Sequence, residues 1–267
     1  MINLFDKLMK YFILIKEAYG FKSKLSLLLY APFVPFYYST SRFNNAFLFD
    51  ITMKNNNGIL FCGKSMVAVH TAASFHEKML KDYMKLSEGT FIDIGANIGK
   101  YSVYIAKMLA GKGKVLSIEP EPHNFFMLIK NITLNRLQNV EAYNGACYSE
   151  EKEVSFYTQE KGSGMHSLYK PDNDKFKEEI KVKTIRLDDL VDRLNLKDIR
   201  LIKLDAEGAE PEILKGAVRI MQTYHPDILF ESWNDPIFKQ CAEILNAYGY
   251  KITNLTELNH FANWRGK

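Results

Sequence analysis

The sequence predicts an α/β fold with a mostly parallel sheet and helices on both of its faces. Two observations lead to this prediction. From about residue 70 onward, short apolar runs typical of buried strands alternate with helical segments, and a glycine-rich turn follows the first of these runs. The 267 residues are 47% hydrophobic and 25% charged, which is enough apolar material for a large core. At roughly 150 residues per domain, the length corresponds to between one and two domains.

Composition excludes several classes of protein. The 18 Phe and 15 Tyr are far too many for a disordered chain. The net charge of +4 is too small for the concentrated basic face of a nucleic-acid-binding protein. The three cysteines are odd in number and widely spaced, and they form no Cys/His cluster with zinc spacing. We therefore expect a cytoplasmic protein with neither a nucleic-acid partner nor a metal centre.

The first 40 residues are strongly apolar. Two apolar runs, at 11–15 and 25–38, are each shorter than the roughly 18 residues that span a bilayer, and charged residues separate them. We expect helices that pack on the main domain. The same segment carries five lysines beside aromatic residues, so peripheral contact with the cytoplasmic face of a membrane is the second interpretation.

The first elements after this segment are a hairpin and a helix. Residues 47–53 and 59–62 flank the turn signal at 55–58 and predict a β-hairpin. Apolar residues at helical spacing then predict a helix over 74–86, with Ser74 as its N-cap.

The remaining elements alternate between strand and helix. Strands are predicted at 90–94, 114–118, 140–143, 153–157, 180–185, 199–204, 227–231 and 250–254, the last of the chain. Helices are predicted at 101–109, 122–135, 211–223 and 236–247. We place the boundary near residue 70, so that 1–70 is an extension without domain character of its own and 71–267 is the main domain.

Residues with binding chemistry follow the strand at 90–94. Gly95 and Gly99 allow the backbone to approach a ligand where a Cβ would collide, and the next helix offers free N–H groups at its N-terminus. Asp93 can take the ammonium group of a ligand. With Asn97 these residues form the pattern Asp-x-Gly-x-Asn-x-Gly.

An acid follows the next strand at the place where nucleotide-binding folds hold ribose. Glu119 lies about 20 residues after the glycine turn, where doubly wound folds bind two ribose hydroxyls. The dinucleotide fingerprint is Gly-x-Gly-x-x-Gly, whereas this loop reads Gly-x-Asn-x-Gly with an acid before it. The loop suits a ligand with a zwitterionic amino-acid end, and therefore favours S-adenosylmethionine over NAD.

A second group of acids follows the strand at 199–204, which has Lys203 inside it. Asp205 should emerge at the carboxyl edge of the sheet, where ligands bind in open α/β folds. Asp205 and Glu207 can accept the proton of an acceptor hydroxyl or orient it. Alternatively, the two acids hold a divalent ion. Glu210, in the first turn of the next helix, is better explained by the helix dipole.

Two further candidates lie near the same edge. The glycine-rich loop at 162–167 contains His166 and Ser167, which can reach the cofactor or the acceptor, although a mobile hairpin loop is the simpler interpretation. Trp233 follows the strand at 227–231 and is either a flat surface for stacking on a sugar or an ordinary buried ring.

Several segments together resemble the FkbM family of S-adenosylmethionine-dependent methyltransferases. They are 91–102 (FIDIGANIGKYS), 118–122 (IEPEP), 131–140 (NITLNRLQNV), 144–146 (NGA) and 202–216 (IKLDAEGAEPEILKG). The resemblance covers roughly residues 75–232. It implies a class I methyltransferase fold, with a Rossmann-like, seven-stranded sheet whose last strand is antiparallel. It also implies O-methylation of a sugar, glycan or glycolipid-type acceptor. Lys100 departs from the family, because many of its sequences carry an aromatic residue there.

The resemblance also implies roles for individual residues. The methionine end of the cofactor would be held by Asp93, Gly95, Asn97 and Gly99. Glu119 would bind the ribose, and Asn144 and Ala146 would border the adenine, although Asn-Gly is also a common tight-turn pair. Asp205 and Glu207 are the catalytic candidates.

Two other functions stay open. The segment 131–140 is also reminiscent of tRNA base methyltransferases. Those enzymes usually carry Asn-Pro-Pro in place of Asp205-Ala206-Glu207, and a basic extension, neither of which is present here. The other function is that of a non-catalytic cofactor-binding subunit, against which the set of Asp93, Glu119 and Asp205 argues.

Overall fold

A seven-stranded sheet organises the chain, which the computed structural model describes over residues 4–33, 47–75, 78–158, 168 and 178–266. The strands are β1 (Ile51–Asn55), β2 (Gly58–Gly63), β3 (Gly89–Ile94), β4 (Gly113–Ile118), β5 (Val140–Tyr143), β6 (Ala146–Cys147), β7 (Glu153–Thr158), β8 (Glu178–Ile185), β9 (Ile199–Leu204), β10 (Asp227–Glu231), β11 (Tyr250–Asn254) and β12 (Asn259–Trp264). The α-helices are α1 (Leu4–Glu17), α2 (Phe21–Tyr30), α3 (Met66–Ala72), α4 (Lys100–Leu109), α5 (Pro122–Leu134), α6 (Leu187–Arg193), α7 (Glu210–Lys215), α8 (Val218–Tyr224) and α9 (Asp235–Ala247). Short 3-10 helices occupy Ala31–Phe33 and Lys78–Tyr83.

The main sheet has the strand order β11-β12-β10-β9-β3-β4-β5. Strand β12 runs antiparallel to both of its neighbours, and the five strands from β10 to β5 in this order are parallel. This arrangement confirms the predicted class I methyltransferase fold, including its antiparallel last strand. Strands β4 and β9 lie on opposite sides of β3, so the strand order reverses at the carboxyl end of β3. That reversal opens a crevice for a ligand.

Both faces of the sheet are buried, which explains the nearly continuous apolar runs of its strands. On β9, Ile202 packs against one face with Ile92, and Leu201 packs against the other with Phe91. Helices α6 to α9 cover the first face, and α4 covers the second. Lys203 therefore enters the buried part of the sheet next to the crevice, as an exception to the apolar pattern.

The predicted helix at 74–86 was wrong. The structure has α3 earlier in the chain, with Ser65 rather than Ser74 as its N-cap, and then the 3-10 helix Lys78–Tyr83. Ser74 instead donates a hydrogen bond from Oγ to Glu17 of α1. The apolar spacing misled because Met79 is exposed while Leu80 and Met84 are buried, so these residues do not form one helical face.

Three further features of the fold differ from the prediction. The helix predicted at 211–223 is broken into α7 and α8 at Gly216, where an added Cβ would lie 2.3 Å from the Tyr148 carbonyl oxygen. Strand β11 is not the last strand, because β12 follows it and inserts between β11 and β10. Strands β7 and β8 do form, but they pair with each other and with β6 in a separate three-stranded sheet.

The first two helices pack on the β1–β2 hairpin, which belongs to the same amino-terminal extension. Helices α1 and α2 contact each other and β1, and the Tyr19 N–H donates to the Thr52 carbonyl oxygen at 2.7 Å. The apolar cluster beneath them also contains Ile98, Val103 and Met127 of the main domain. Among the described residues, no helix combines the length and apolar character needed to cross a membrane.

Two asparagines, Asn131 of α5 and Asn135 at its C-cap, complete the free edge of β2. The Asn131 Oδ1 accepts a hydrogen bond from the Phe61 N–H at 2.6 Å, and its Nδ2 donates to the carbonyl oxygens of Phe61 and Ile98 at 3.3 and 2.8 Å. Asn135 pairs in the same way with both backbone groups of Ile59, at 2.9 and 2.6 Å. These side chains replace a neighbouring strand, which satisfies backbone groups that would otherwise be buried without partners.

Replacing Asn131 with leucine should destabilise the protein. The side chain is fully buried, and the substitution would leave three backbone groups without their partners, at a cost of about 2 to 4 kcal/mol in the free energy of unfolding. Urea denaturation measures this loss. The control is Thr133→Ala, an exposed position on the same helix, which should change the free energy of unfolding by no more than about 0.5 kcal/mol. Equal effects of the two substitutions would contradict the assigned role.

Candidate active site

A cavity of about 280 Å³ opens at the carboxyl edge of β3, β4, β9 and β10. Its walls come from the glycine loop after β3, the acids after β4, β9 and β10, and two side chains of α3, Val67 and Thr71. Strand β6 contributes Ala146, and the three-stranded sheet contributes Phe156. The helix α3 lies before the recognisable family motifs, so this wall of the cavity was not predicted.

Gly95 lies between the cavity and the backbone of Asp205. Its φ is +75°, and an added Cβ would lie 1.8 Å from the Asp205 carbonyl oxygen. The Asp205 N–H donates to the Ile94 carbonyl oxygen at 3.1 Å, which closes the same contact. The glycine therefore allows the ends of β3 and β9 to meet, in addition to lining the cavity.

Gly99 lies at the start of α4, against α5. It begins α4 with φ +84°, and an added Cβ would lie 2.5 Å from Leu128 Cδ1 of α5. It is absent from the cavity wall, whereas Asn97 is part of it. The structure thus assigns to Gly99 the close packing of α4 on α5.

Glu119 connects the glycine loop to the start of α5. Its Oε2 accepts a hydrogen bond from the Asn97 N–H at 2.8 Å, and its Oε1 accepts one from the Glu121 N–H at 2.9 Å. The carboxylate lines the cavity and retains lone pairs for further donors, which fits the two hydroxyls of a ribose. Burial raises the pKa of Glu119 to about 8, although the two backbone N–H groups act in the opposite direction.

Asp93 lies below the glycine loop and outside the cavity wall. Its Oδ2 accepts a hydrogen bond from Ser102 Oγ at 2.6 Å, and Ser102 Oγ in turn accepts one from Ser117 Oγ at 2.7 Å. Burial raises its pKa, and the charge of Lys203 partly offsets this effect. In this arrangement Asp93 holds α4 on the sheet.

Two lysines, Lys100 and Lys203, line the cavity. Lys203 is almost fully buried, and its Nζ lies 2.8 Å from Asp205 Oδ2 and 5.2 Å from the centre of the Tyr101 ring. The Nζ of Lys100, the residue that departs from the family, lies 5.0 Å from the same ring. The sequence signalled Lys203 only as a charged residue inside an apolar strand, a placement that usually requires a partner.

The two glutamates after β9 differ in their surroundings. Burial raises the pKa of Glu207 to about 10, and the neighbouring carboxyl groups of Asp205 and Glu231 add to this effect. Glu207 is therefore protonated near neutral pH and can donate a hydrogen bond. Glu210 accepts hydrogen bonds from the N–H groups of Ala206 at 2.7 Å and Gly208 at 3.1 Å. It stabilises the turn before α7, in agreement with its predicted structural role.

The remaining candidates are divided between the cavity and its surroundings. Ala146 lines the cavity, whereas Asn144 donates from Nδ2 to the Glu119 carbonyl oxygen at 2.8 Å and lies behind the wall. Trp233 is 44% exposed, so the buried-ring interpretation was wrong. His166 and Ser167 lie outside the described residues, but the next residue, Leu168, lines the cavity.

Within the described ranges, no three His, Cys, Asp or Glu side chains are grouped to hold a metal ion.

The seven-stranded sheet with its antiparallel β12, and a cavity beside the glycine loop at the carboxyl edge, form the architecture of a class I methyltransferase. A methyltransferase FkbM domain matches residues 93–252, which is more than half of the chain. The chain therefore belongs to the FkbM methyltransferase family, as the sequence motifs predicted, and its cofactor is S-adenosylmethionine.

The individual relatives have low sequence identity to this chain and match only part of it. Methyltransferase 1 of Beauveria bassiana is 28% identical over 144 residues, which cover 47% of this chain and 57% of that protein. A tRNA(Phe) (4-demethylwyosine(37)-C(7)) aminocarboxypropyltransferase of Pyrococcus horikoshii is 30% identical over 95 residues, 35% of this chain and 34% of that enzyme. The chain thus spans less than two thirds of the length of these relatives.

A solved FkbM methyltransferase of Methylobacillus flagellatus has a similar fold. The two structures superimpose with a TM-score of 0.50 at 16% identity, over 96% of this chain and 59% of the other. At this level of identity, the likeness concerns the fold.

Replacing Gly95 with alanine should disrupt the site more than an equally strained substitution elsewhere. The Cβ would collide with the Asp205 backbone, so we expect a loss of about 3 kcal/mol or more in the free energy of unfolding, and weaker cofactor binding. The control is Gly111→Ala, which has a similar φ of +85° but no atom within 4 Å of the added Cβ. It should cost only about 1 to 2 kcal/mol. Urea denaturation and calorimetry with S-adenosylmethionine measure both effects.

The stability of the protein should fall as pH rises, and part of this fall should depend on Glu207. The folded protein keeps the Glu207 proton up to about pH 10, whereas the unfolded chain releases it near the ordinary value of 4.5, so rising pH favours unfolding. One such group contributes at most about 1.4 kcal/mol per pH unit. Chemical denaturation between about pH 6 and 9 should show a smaller slope for Glu207→Gln than for the wild type. Glu119 and Glu210 also have raised pKa values, and they contribute to the slope of both proteins equally. If the wild type and Glu207→Gln have the same slope, Glu207 is ionised in the folded state.

Proposed function

We propose that this methyltransferase transfers the methyl group of S-adenosylmethionine to a hydroxyl of a sugar, glycan or glycolipid-type acceptor. The observation that carries the proposal is the position of Asp205. Its carboxylate lies in the same cavity as the glycine loop, next to Gly95, and is held by Lys203 Nζ at 2.8 Å. A fixed carboxylate beside the cofactor loop is what deprotonation of a hydroxyl requires.

The cofactor, when bound, supplies an electrophilic methyl group on a sulfonium that is its own leaving group. The protein must therefore align the acceptor oxygen and accept its proton. We assign both tasks chiefly to Asp205. The hydrogen bond from Lys203 fixes one carboxylate oxygen, Oδ2, and the other oxygen can accept the proton.

Glu207 has a supporting role in this proposal. Because its raised pKa keeps it protonated, it serves as a hydrogen-bond donor to the acceptor, while Asp205 serves as the base. Glu231, at the end of β10, also lines the cavity. Three carboxyl groups on one wall suit an acceptor with several hydroxyls, such as a sugar. The exposed ring of Trp233, two residues after Glu231 in the chain, is our candidate for stacking on such a sugar.

The cofactor would be held by the glycine loop and by residues that follow β4 and β5. We propose that the backbone of Gly95 and Asn97 holds its methionine end, that Glu119 binds the ribose, and that Ala146 borders the adenine. Asp93, Gly99 and Asn144 would act by supporting these residues, since none of the three lines the cavity. The amino-terminal extension, residues 1–70, includes the start of α3. Through Val67 of this helix, the extension would shape the acceptor side of the cavity.

The substitution Asp205→Asn tests the catalytic assignment. Asparagine keeps the shape of the side chain but cannot accept the proton, so kcat should fall about 100-fold or more. The affinity for S-adenosylmethionine, measured by calorimetry, should stay within a few-fold of the wild type. Glu207→Gln, which retains a hydrogen-bond donor, should lose much less activity. Full activity of Asp205→Asn would refute the assignment.

The acceptor class can be determined by labelling. The protein is incubated with S-adenosylmethionine that carries a radioactive methyl group and with separated glycan, lipid and RNA fractions of a cell extract, with Asp205→Asn as the matched control. Label in the glycan or lipid fraction supports the proposal. Label in tRNA alone would replace it with the second candidate, a tRNA base methyltransferase, which the partial similarity to a tRNA-modifying enzyme favours.

A further inference from the structure

The first two helices carry large apolar side chains on the side turned away from the protein. These residues are about half exposed or more: Leu8, Met9 and Phe12 on α1, and Phe21, Leu28 and Leu29 on α2. We call these six residues the outer face. Fifteen large apolar side chains are exposed in the described part of the chain, and eight of them lie within residues 8–48. The exposure is therefore concentrated in one region rather than scattered over the surface.

Polar contacts help to fix the orientation of α2, with Leu28 and Leu29 on its outer side. Ser26 Oγ accepts a hydrogen bond from the Phe49 N–H at 3.0 Å, and Ser23 Oγ accepts one from the Thr52 N–H at 3.0 Å. Both serines are buried together with Leu27 and Tyr30, whereas Leu28 and Leu29 are 54% and 52% exposed. The helix therefore carries apolar side chains on its outer side as well as towards the core, whereas an ordinary surface helix has a polar outer side.

Positive charge surrounds the outer face. Residues 4–30 contain five lysines and two acids, a net charge of +3 in a chain whose total is +4. One of the acids, Glu17, points inward and accepts a hydrogen bond from Asn55 Nδ2 at 2.6 Å. Lys22 and Lys24, on α2, are both exposed next to Phe21. An apolar surface flanked by lysines and aromatic rings is complementary to the negatively charged surface of a lipid bilayer.

We propose that the outer face of α1 and α2 docks on the surface of an anionic phospholipid bilayer, with the apolar side chains among the acyl chains and the lysines at the headgroups. A second copy of the chain is the alternative occupant. An isologous contact would place the lysines of one copy against those of the other, and like charges oppose such an interface. The proposal does not depend on the identity of the methyl acceptor.

Vesicle flotation of the full chain tests the proposal. Vesicles consist of phosphatidylcholine alone or with about 30% phosphatidylglycerol. We expect the wild type to float with the anionic vesicles, with at least about fivefold less bound to the neutral ones, and less bound at high salt. The double variant Phe21→Ser, Leu28→Ser should lose most of this binding, and Lys22→Gln, Lys24→Gln should reduce it on anionic vesicles only.

Controls separate docking from general stickiness and from misfolding. The variant Phe126→Ser, Leu134→Ser removes two exposed apolar side chains from α5 and should float like the wild type. Thermal melting and S-adenosylmethionine binding show that each variant is folded. Equal flotation of the wild type and the α2 variants would overturn the proposal. So would an absence of vesicle binding together with a dimer, seen by analytical ultracentrifugation, that Phe21→Ser, Leu28→Ser dissociates, because the partner would then be a second copy.

Discussion

The close approach of two strand ends determines the geometry of the active site. Strand β3 and strand β9 meet where Gly95 lies against the backbone of Asp205, with no room for a side chain between them. Because of this contact, the glycine loop, which we propose holds the cofactor, and Asp205, which we propose faces the acceptor, are joined through the sheet. Methyl transfer requires in-line alignment of donor and acceptor, and under this proposal the sheet would supply much of that alignment before either ligand binds.

The site concentrates ionisable groups where water is scarce. Asp93, Glu119 and Glu207 all have raised pKa values because burial disfavours their charged forms. Lys203 offsets part of this cost at Asp93 and Glu207, and its Nζ lies 2.8 Å from Asp205 Oδ2 and beside the Tyr101 ring. Such a cluster is unfavourable for stability alone, and ionisable groups with perturbed pKa values are concentrated at functional sites.

The parallel sheet and the order of its motifs could be predicted from sequence, because buried strands have uniform apolar runs and the turn after β3 needs glycine. The roles of Gly99 and Asp93 could not be separated from those of Gly95 and Asn97, since all four belong to the same pattern and only their packing differs. The break at Gly216 depends on the distant Tyr148 carbonyl oxygen. Strand β12 has few β-branched residues, and its conformation depends on pairing with β10 and β11. The wall formed by α3 depends on tertiary contacts outside the family motifs.

The pairing of Asn131 and Asn135 with β2 has a consequence for how the protein can be divided. The FkbM domain match begins at residue 93. The side chains of Asn131 and Asn135, however, form hydrogen bonds with backbone groups of residues 59–61, which precede that match. Ile98 lies in the glycine loop, and its carbonyl oxygen accepts a hydrogen bond from the same Asn131 amide that pairs with the hairpin. Its side chain also belongs to the apolar cluster that contains the hairpin. A fragment cut at the limit of similarity would expose that cluster and loosen the loop. The evolutionary unit and the folding unit of this enzyme therefore have different borders.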